Sequence, residues 1–320
     1  MRAPSVTGAR RWRPGLGLAL GLVAAATLPG ANDGRPGPAQ TPVALEAHSR
    51  SVLHQIMTSE QSWVRIHAAE ALIAAGEGDA IRTYFLNELP NSESSAFRIG
   101  VYRVLATVSH SPEERSSWIA KVEHVYLDQT APDQNQAIET LCKLGYCVTG
   151  PTLDLVRRRM AEPPSAPMAL ALWSGTLAGE PHALQKLTEL LTSENLALRT
   201  SAAYALRWLH PADPAVRQAL ARAAAAATPN INSSSIYILG AALAADADPA
   251  QTKDWVETLN FLMATNAVSV GERFEASWTL KHRYKVADLP PLAGLLDLDA
   301  GENDVRIGAA SIILTTLEPQ

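Results

Sequence analysis

Residues 62–76 of this 320-residue chain, SWVRIHAAEALIAAG, contain the pattern that decides its fold. Counted from Arg65, a small residue follows three positions later at Ala68, and a large apolar residue follows seven positions later at Leu72. Positions three and seven apart lie on one face of an α-helix. The stretch therefore predicts a helix whose small residue permits close approach of a neighbouring helix and whose leucine fills the space between them.

The same pattern recurs to the end of the chain, in eight copies. The index positions, equivalent to Arg65, are Arg65, Arg98, Gln134, Ala166, Arg199, Asn232, Arg273 and Arg306. The residues three positions later are Ala68, Val101, Ala137, Ala169, Ala202, Ser235, Ala276 and Ala309, and those seven positions later are Leu72, Leu105, Leu141, Trp173, Leu206, Leu239, Leu280 and Ile313. Successive index positions are 33, 36, 32, 33, 33, 41 and 33 residues apart, a period that indicates stacked helix pairs.

A partner helix is expected before each of these eight helices. Several of the partners have explicit start signals. Asp213-Pro214 and Asp248-Pro249 place a capping carboxylate before a proline at the first helical position, and Ser111-Pro112-Glu113-Glu114 forms a capping box. No strand-like alternation is long enough to matter. The sequence therefore predicts an all-α fold over residues 43–320, an α-solenoid or superhelix of about eight two-helix repeats whose curvature the sequence does not fix.

Three segments resemble a known family. VRIHAAEAL (64–72), LRTSAAYAL (198–206) and DVRIGAASIIL (304–314) are similar to the second helices of HEAT repeats, especially the short HEAT-like repeats of bacterial proteins. The resemblance covers roughly residues 43–320, and it implies binding of another protein along a groove lined by the second helices. Some HEAT-like proteins are enzymes, including bilin lyases and a di-iron hydroxylase built on repeated His-Glu pairs. Here His67 and Glu70 form a single pair that is not repeated.

The first 31 residues have the pattern of a signal peptide. Four arginines precede an apolar run at 16–28, and small residues that suit cleavage lie within the run at 24–26 or after it at 30–31. The run is shorter than the ~20 residues that a membrane-spanning helix needs. We expect export to a periplasmic or extracellular location, with 32–42 as a flexible lead-in. Association with a membrane would then require an uncleaved signal anchor or a membrane-protein partner.

Composition and motifs narrow the function. The formal net charge is −5, which is unfavourable for a nucleic-acid partner because such binding is driven by neutralising phosphates. The chain has no nucleophile elbow, phosphate-binding glycine loop or zinc-protease motif. We therefore expect no catalytic residues, no metal and no cofactor. The only cysteines, Cys142 and Cys147, flank Gly145, which is well placed as a left-handed helix cap; they form either a disulfide or two separate buried thiols.

The candidate binding site is the face of the second helices at two, five and nine positions after the index. Its N-terminal half is charged and its C-terminal half is aromatic, and aromatic residues with a polar tip are favoured at interfaces. The candidate partner-binding residues on this face are Glu70, Arg103, Glu139, Tyr204, Trp208, Tyr237, Trp278 and His282. The competing interpretation is that the rings only pack against each other, and that the recurrent index arginines tie down neighbouring turns.

These observations predict an exported scaffold or adaptor that binds a protein or peptide partner along the concave groove, without catalysis. The alternatives are an exported enzyme or ligand-binding module for a carbohydrate or small molecule, and an accessory module of a transporter. A carboxylate pair such as Glu139 facing Glu275 would favour the enzyme, and a continuous open groove without a deep pocket would favour the scaffold.

Overall fold

The computed structural model describes residues 41–228 and 231–318, and this part of the chain contains sixteen α-helices and no strands. The predicted signal peptide, 1–31, and most of the lead-in lie outside these residues. The helices are α1 (Pro42–Ser59), α2 (Trp63–Ala74), α3 (Gly78–Ser92), α4 (Arg98–Thr107), α5 (Pro112–Leu127), α6 (Gln134–Lys143), α7 (Gly150–Met160), α8 (Ala166–Leu177), α9 (Ala183–Glu189), α10 (Leu196–Leu209), α11 (Pro214–Ala227), α12 (Ser233–Ala244), α13 (Thr252–Ala264), α14 (Val270–Leu280), α15 (Pro290–Leu296) and α16 (Asn303–Leu317). Short 3₁₀ turns occur at Leu190–Thr192, Val286–Asp288 and Ala300–Glu302.

The predicted register is confirmed in every even-numbered helix. Each of the sixteen residues at three and seven positions after the index has at most 1% of its surface exposed. Full burial of such a leucine contributes roughly 1.5–3 kcal/mol. Each helix pair can bury the apolar face that carries these residues only by packing against neighbouring pairs. This packing gives the all-α fold.

Two of the predicted helix-end signals, at Asp213 and Gly145, are confirmed, and the one at Asp248-Pro249 is wrong. Asp213 caps α11 as expected, because its Oδ1 accepts a hydrogen bond of 2.7 Å from the Ala215 amide. Gly145 has a φ of +63° and closes the end of α6, where the Tyr146 amide donates to the Leu141 carbonyl at 3.0 Å. The helix expected from Pro249 begins later, at Thr252, since Asp248 forms a turn with the Ala250 amide instead.

The array of helix pairs closes on itself. Each even-numbered helix packs against the next, and α16 packs against α1 and α2 at the start of the array. Across this seam, His67 Nδ1 lies 3.1 Å from Asp304 Oδ1, and Asn303 Nδ2 donates to Glu60 Oε1 at 2.8 Å. The His67 ring also stacks on Phe274 of α14, with centroids 4.6 Å apart. The even-numbered helices therefore form a continuous inner ring.

None of the helices α1–α16 has both the length and the apolar composition needed to cross a membrane.

Candidate functional site: a central cavity

A cavity of about 410 Å³ lies within the inner ring. Seven of the eight candidate binding residues line it: Glu70, Arg103, Glu139, Tyr204, Trp208, Tyr237 and Trp278. They converge because five positions after the index is the same face of every inner helix, and closure of the ring turns these faces toward one centre. The candidate face thus lines a cavity enclosed by a ring of helices.

His282 does not line the central cavity. It lies beside a neighbouring cavity of about 360 Å³, to which Trp208 and Trp278 also contribute. The physical reason is helix length: α10 continues to Leu209, so Trp208 at nine positions after the index keeps its helical direction. In contrast, α14 ends at Leu280, two residues before His282. The extrapolation of the helical period past the helix end was wrong.

Six lining residues lie outside the candidate face, and the largest of them are Trp63, Phe274 and Arg207. Trp63 precedes the index by two positions, Phe274 follows its index by one, and Arg207 follows its index by eight. These positions neighbour the candidate face on the helix surface, and they reach the cavity because their side chains are long. A wider angular window around each helix would have found them in the sequence.

The aromatic wall consists of rings that contact one another and still border the cavity. Tyr204 packs edge-on against Trp173 and Tyr237, with centroids 5.9 and 6.1 Å away. Trp278 lies 6.4 Å from the Trp208 ring and 5.9 Å from Phe274. Such edge-to-face and offset contacts hold aromatic side chains in fixed orientations. The packing interpretation and the binding interpretation are therefore compatible, because Tyr204, Trp208 and Trp278 are only half-buried.

The charged wall consists of three ion pairs, each joining one base to one acid. They are Arg103 Nε to Glu70 Oε1 at 2.5 Å, Lys143 Nζ to Glu139 Oε1 at 2.7 Å, and Arg207 Nη2 to Glu275 Oε2 at 2.6 Å. Glu139 Oε1 also accepts the Tyr204 hydroxyl at 2.7 Å, which joins the charged wall to the aromatic wall. The charges that line the cavity are thus balanced within it.

The ion pairs keep Glu70 and Glu139 ionised. Burial acts to raise the pKa of Glu70, but the positive charges of Arg103 and Lys143 outweigh it, so that the pKa falls below its ordinary value. For Glu139, burial again acts to raise the pKa, and Lys143 together with the Tyr204 hydroxyl brings it below the ordinary value. Both groups are therefore carboxylates at neutral pH and accept hydrogen bonds only.

Two buried polar atoms on the cavity wall have neither a hydrogen bond nor an ion pair among the described residues. They are the amide oxygen of Gln136 and the indole nitrogen of Trp208, an acceptor and a donor respectively. Buried polar atoms in native proteins are nearly always paired. An unpaired donor and an unpaired acceptor at one cavity are therefore candidate contacts for a bound polar molecule.

Most index arginines form ion pairs or hydrogen bonds with neighbouring segments and do not line the central cavity. Arg98 forms a two-pronged pair with Asp133 at 2.7 and 2.9 Å, and Arg65 donates to the Tyr84 hydroxyl at 2.6 Å. None of the five lines the central cavity. These arginines tie an inner helix to neighbouring segments, as the structural interpretation predicted.

The cysteines are both free thiols in the structure. Cys142 is buried, and burial raises the pKa of its thiol well above the ordinary value. Cys147 is exposed, and its Sγ donates to the Leu177 carbonyl. The disulfide of the first interpretation is not formed here, and Cys147 is not the buried thiol of the second, because it follows the turn at Gly145 and its side chain contacts the last residue of α8.

Within the described residues, no three His, Cys, Asp or Glu side chains are grouped as ligands for a metal ion. No protein-family model matches the chain, and no curated protein and no solved structure matches it. The functional argument therefore depends on the cavity itself.

Proposed function

We propose that this protein binds a small, neutral, polyhydroxylated molecule of the carbohydrate type in the central cavity, without transforming it. The observation that carries the proposal is the pairing of an aromatic wall with a charge-balanced polar wall in one cavity of about 410 Å³. That volume falls in the range of small-molecule sites, which combine apolar surface with a few convergent polar groups.

The aromatic wall supports a ligand with an apolar face. Tyr204, Trp208 and Trp278 are half-buried and keep part of their surface toward the cavity. A sugar ring presents C–H groups on its faces and hydroxyls around its edge. It can therefore stack on an aromatic side chain while its hydroxyls form hydrogen bonds. Tyr and Trp suit such a ligand because each combines an apolar ring with one polar group.

The charge balance supports a neutral ligand. Each acid at the cavity already has a basic partner, so a charged ligand finds no uncompensated opposite charge. Ionised side chains nevertheless form the stronger hydrogen bonds, and those to hydroxyl groups need no net ligand charge. The unpaired Gln136 oxygen and Trp208 indole nitrogen add an acceptor and a donor.

The ion pairing of the carboxylates supports binding rather than hydrolysis. Glycoside hydrolysis by two carboxyl groups requires one of them to be a protonated acid with a raised pKa. Glu139 and Glu275 do line the same cavity, as the enzyme alternative requires, but each is paired with a base. Glu139 in addition has a lowered pKa, which disfavours it as the proton donor.

The test is a panel of neutral mono- and oligosaccharides, screened by thermal shift and followed by calorimetric titration. We expect a saturable ligand whose affinity falls by at least about tenfold in Trp278→Ala, because stacking on that ring is lost. Phe261→Ala is the matched control, since Phe261 is 54% exposed on α13 and does not line the cavity. Failure of the whole panel, or equal affinity in Trp278→Ala, would contradict the proposal.

A protein or peptide partner is the second candidate, favoured by the resemblance to HEAT arrays. Ring closure removes the open groove, so a partner would have to insert a chain end or a side chain into the cavity. Affinity capture from the envelope of the native host tests this, with wild type compared with a Tyr204→Ala, Trp208→Ala, Trp278→Ala variant. Loss of a specific partner in the triple variant would favour this candidate over a free sugar.

We also propose export, on the basis of the basic and apolar start of the chain. The intact mass of the protein purified from envelope fractions tests it. Removal of roughly the first 24–31 residues is the expected result, and a full-length cytoplasmic protein would contradict it.

A further inference from the structure

The index arginines of α14 and α16 share one contact. Arg273 Nε donates to the Met263 carbonyl at 2.9 Å, and Arg306 Nε donates to the Leu296 carbonyl at 2.9 Å. In both helices the acceptor lies ten residues before the arginine, at the end of the preceding odd-numbered helix, α13 or α15. The contact satisfies a carbonyl that the helix end leaves free.

Arg199 of α10 lacks this contact. The carbonyl ten residues before it belongs to Glu189, and that carbonyl accepts the Thr192 hydroxyl at 2.9 Å, where α9 passes into the 3₁₀ turn Leu190–Thr192. The Nε of Arg199 is buried and has no hydrogen-bond partner. Among the described residues, its guanidinium group also takes part in no ion pair.

The other index arginines do have side-chain partners, so the lack of one for Arg199 is exceptional. Arg65 likewise has an unpartnered Nε, but its terminal nitrogens donate to Gln61 at 3.2 Å and Tyr84 at 2.6 Å. Arg98 uses two nitrogens on Asp133. Of the five index arginines, Arg199 alone has no side-chain partner within the described part of the chain.

Arg199 faces a second cavity, of about 530 Å³, beside α11. Arg222 of α11 lines the same cavity, and it too has no ion pair in the described residues. None of the described lining residues is acidic. The two positively charged guanidinium groups repel each other in this cavity, and an anion bound between them would offset that repulsion. Ser234, in the first turn of α12, also lines the cavity, so the positive end of that helix dipole adds to the field.

Besides the polar residues Thr188, Thr192, Asn232 and Ser235, the remaining wall of the cavity has an apolar surface. It comprises Leu191, Ala219, Ala223, Ala226, Ala227 and Ile238. An inorganic ion would leave this surface without a partner. A molecule that combines a negative head with an apolar body would cover it and gain from the water released.

We propose that this cavity is a binding site for a small organic anion. A carboxylate or phosphate head lies between Arg199 and Arg222, where it accepts hydrogen bonds from their guanidinium groups, and a short apolar chain lies on the alanine face of α11. Oxyanions match the planar donor fork of arginine. The site is separate from the central cavity and does not depend on the function proposed there.

The test is calorimetric titration of the full chain with octanoate, octyl phosphate, octanol and inorganic phosphate. We expect one saturable site for at least one octyl anion, with octanol and inorganic phosphate each binding at least about tenfold more weakly. Arg199→Met keeps the apolar stem and removes the guanidinium group, and it should weaken the octyl anion at least about tenfold. Arg158→Met is the matched control, because Arg158 is exposed on α7 and outside this cavity.

Arg222→Met keeps the test decisive if Arg199→Met folds poorly, since Arg222 is exposed and its loss disturbs no packing. Circular dichroism checks the fold of each variant. The proposal is overturned if neither octyl anion binds wild type, if octanol or inorganic phosphate binds as tightly, or if the folded arginine variants and Arg158→Met bind alike.

Discussion

The contact between α14 and α16 depends on the absence of a side chain at Gly308. A Cβ atom at this position would lie 2.0 Å from Ser277 Oγ and 2.6 Å from Ser277 Cβ. Ser277 is 1% exposed, and its hydroxyl donates to the Phe274 carbonyl. Rotation about χ1 moves the hydroxyl but not the Cβ, so Gly308→Ala requires the two helices to separate.

The expected magnitude follows from two opposing effects. Overpacking of a filled interior costs about 1–3 kcal/mol. Replacing glycine by alanine inside a helix returns about 0.5–1 kcal/mol through backbone entropy. We expect Gly308→Ala to lower the free energy of unfolding by about 1–2 kcal/mol, which corresponds to a fall in Tm of about 2–3 °C for a chain of this size.

The assay is urea and thermal unfolding followed by circular dichroism. Gly294→Ala is the matched control, because Gly294 lies within α15 and a Cβ there meets nothing within 4 Å. It should stabilise the protein by about 0.5–1 kcal/mol. Ser277→Gly, combined with Gly308→Ala, removes both clashing atoms and should recover part of the loss. If Gly308→Ala is as stable as Gly294→Ala, the close approach of α14 and α16 is refuted.

Three further predictions concern the core, the charged wall and the thiols. Leu206→Ala should cost about 2–5 kcal/mol in urea unfolding, because Leu206 is fully buried, whereas Leu196→Ala, at a 49% exposed position, should cost much less. Equal costs would contradict the register. The pKa of Glu139 is lower in the folded protein than its ordinary 4.5, so its contribution to stability is present above pH 4.5 and is lost as the pH falls through the folded value. The difference in unfolding free energy between wild type and Glu139→Gln should therefore narrow below pH 4.5; a constant difference would argue against the ion pair. A maleimide should label exposed Cys147 well before buried Cys142 in the native protein, and simultaneous labelling would indicate that α6 opens.

Much of the candidate site was predictable because its residues repeat at a fixed offset in each helix. Glu139 and Tyr204, 65 residues apart in the chain, were assigned to one face by their offset from the index, and the structure joins them by a hydrogen bond of 2.7 Å. The offset fails for His282, because a helical direction can be extrapolated only as far as the helix extends. Arg207 was missed because its long side chain reaches the cavity from an adjacent offset.

The sequence by itself determined the all-α class and the register that buries sixteen residues, at three and seven positions after each index. It also determined which face of each inner helix carries the candidate residues. These are local properties, set by a 3.6-residue period and by burial against the nearest neighbours. Only the tertiary structure decided that the array closes, because closure is the sum of small rotations between successive pairs, and no single repeat encodes that sum. The contact between His67 and Asp304, 237 residues apart, is the result. Closure converts a groove into a cavity, and the cavity determines which charges are paired and which ligand fits.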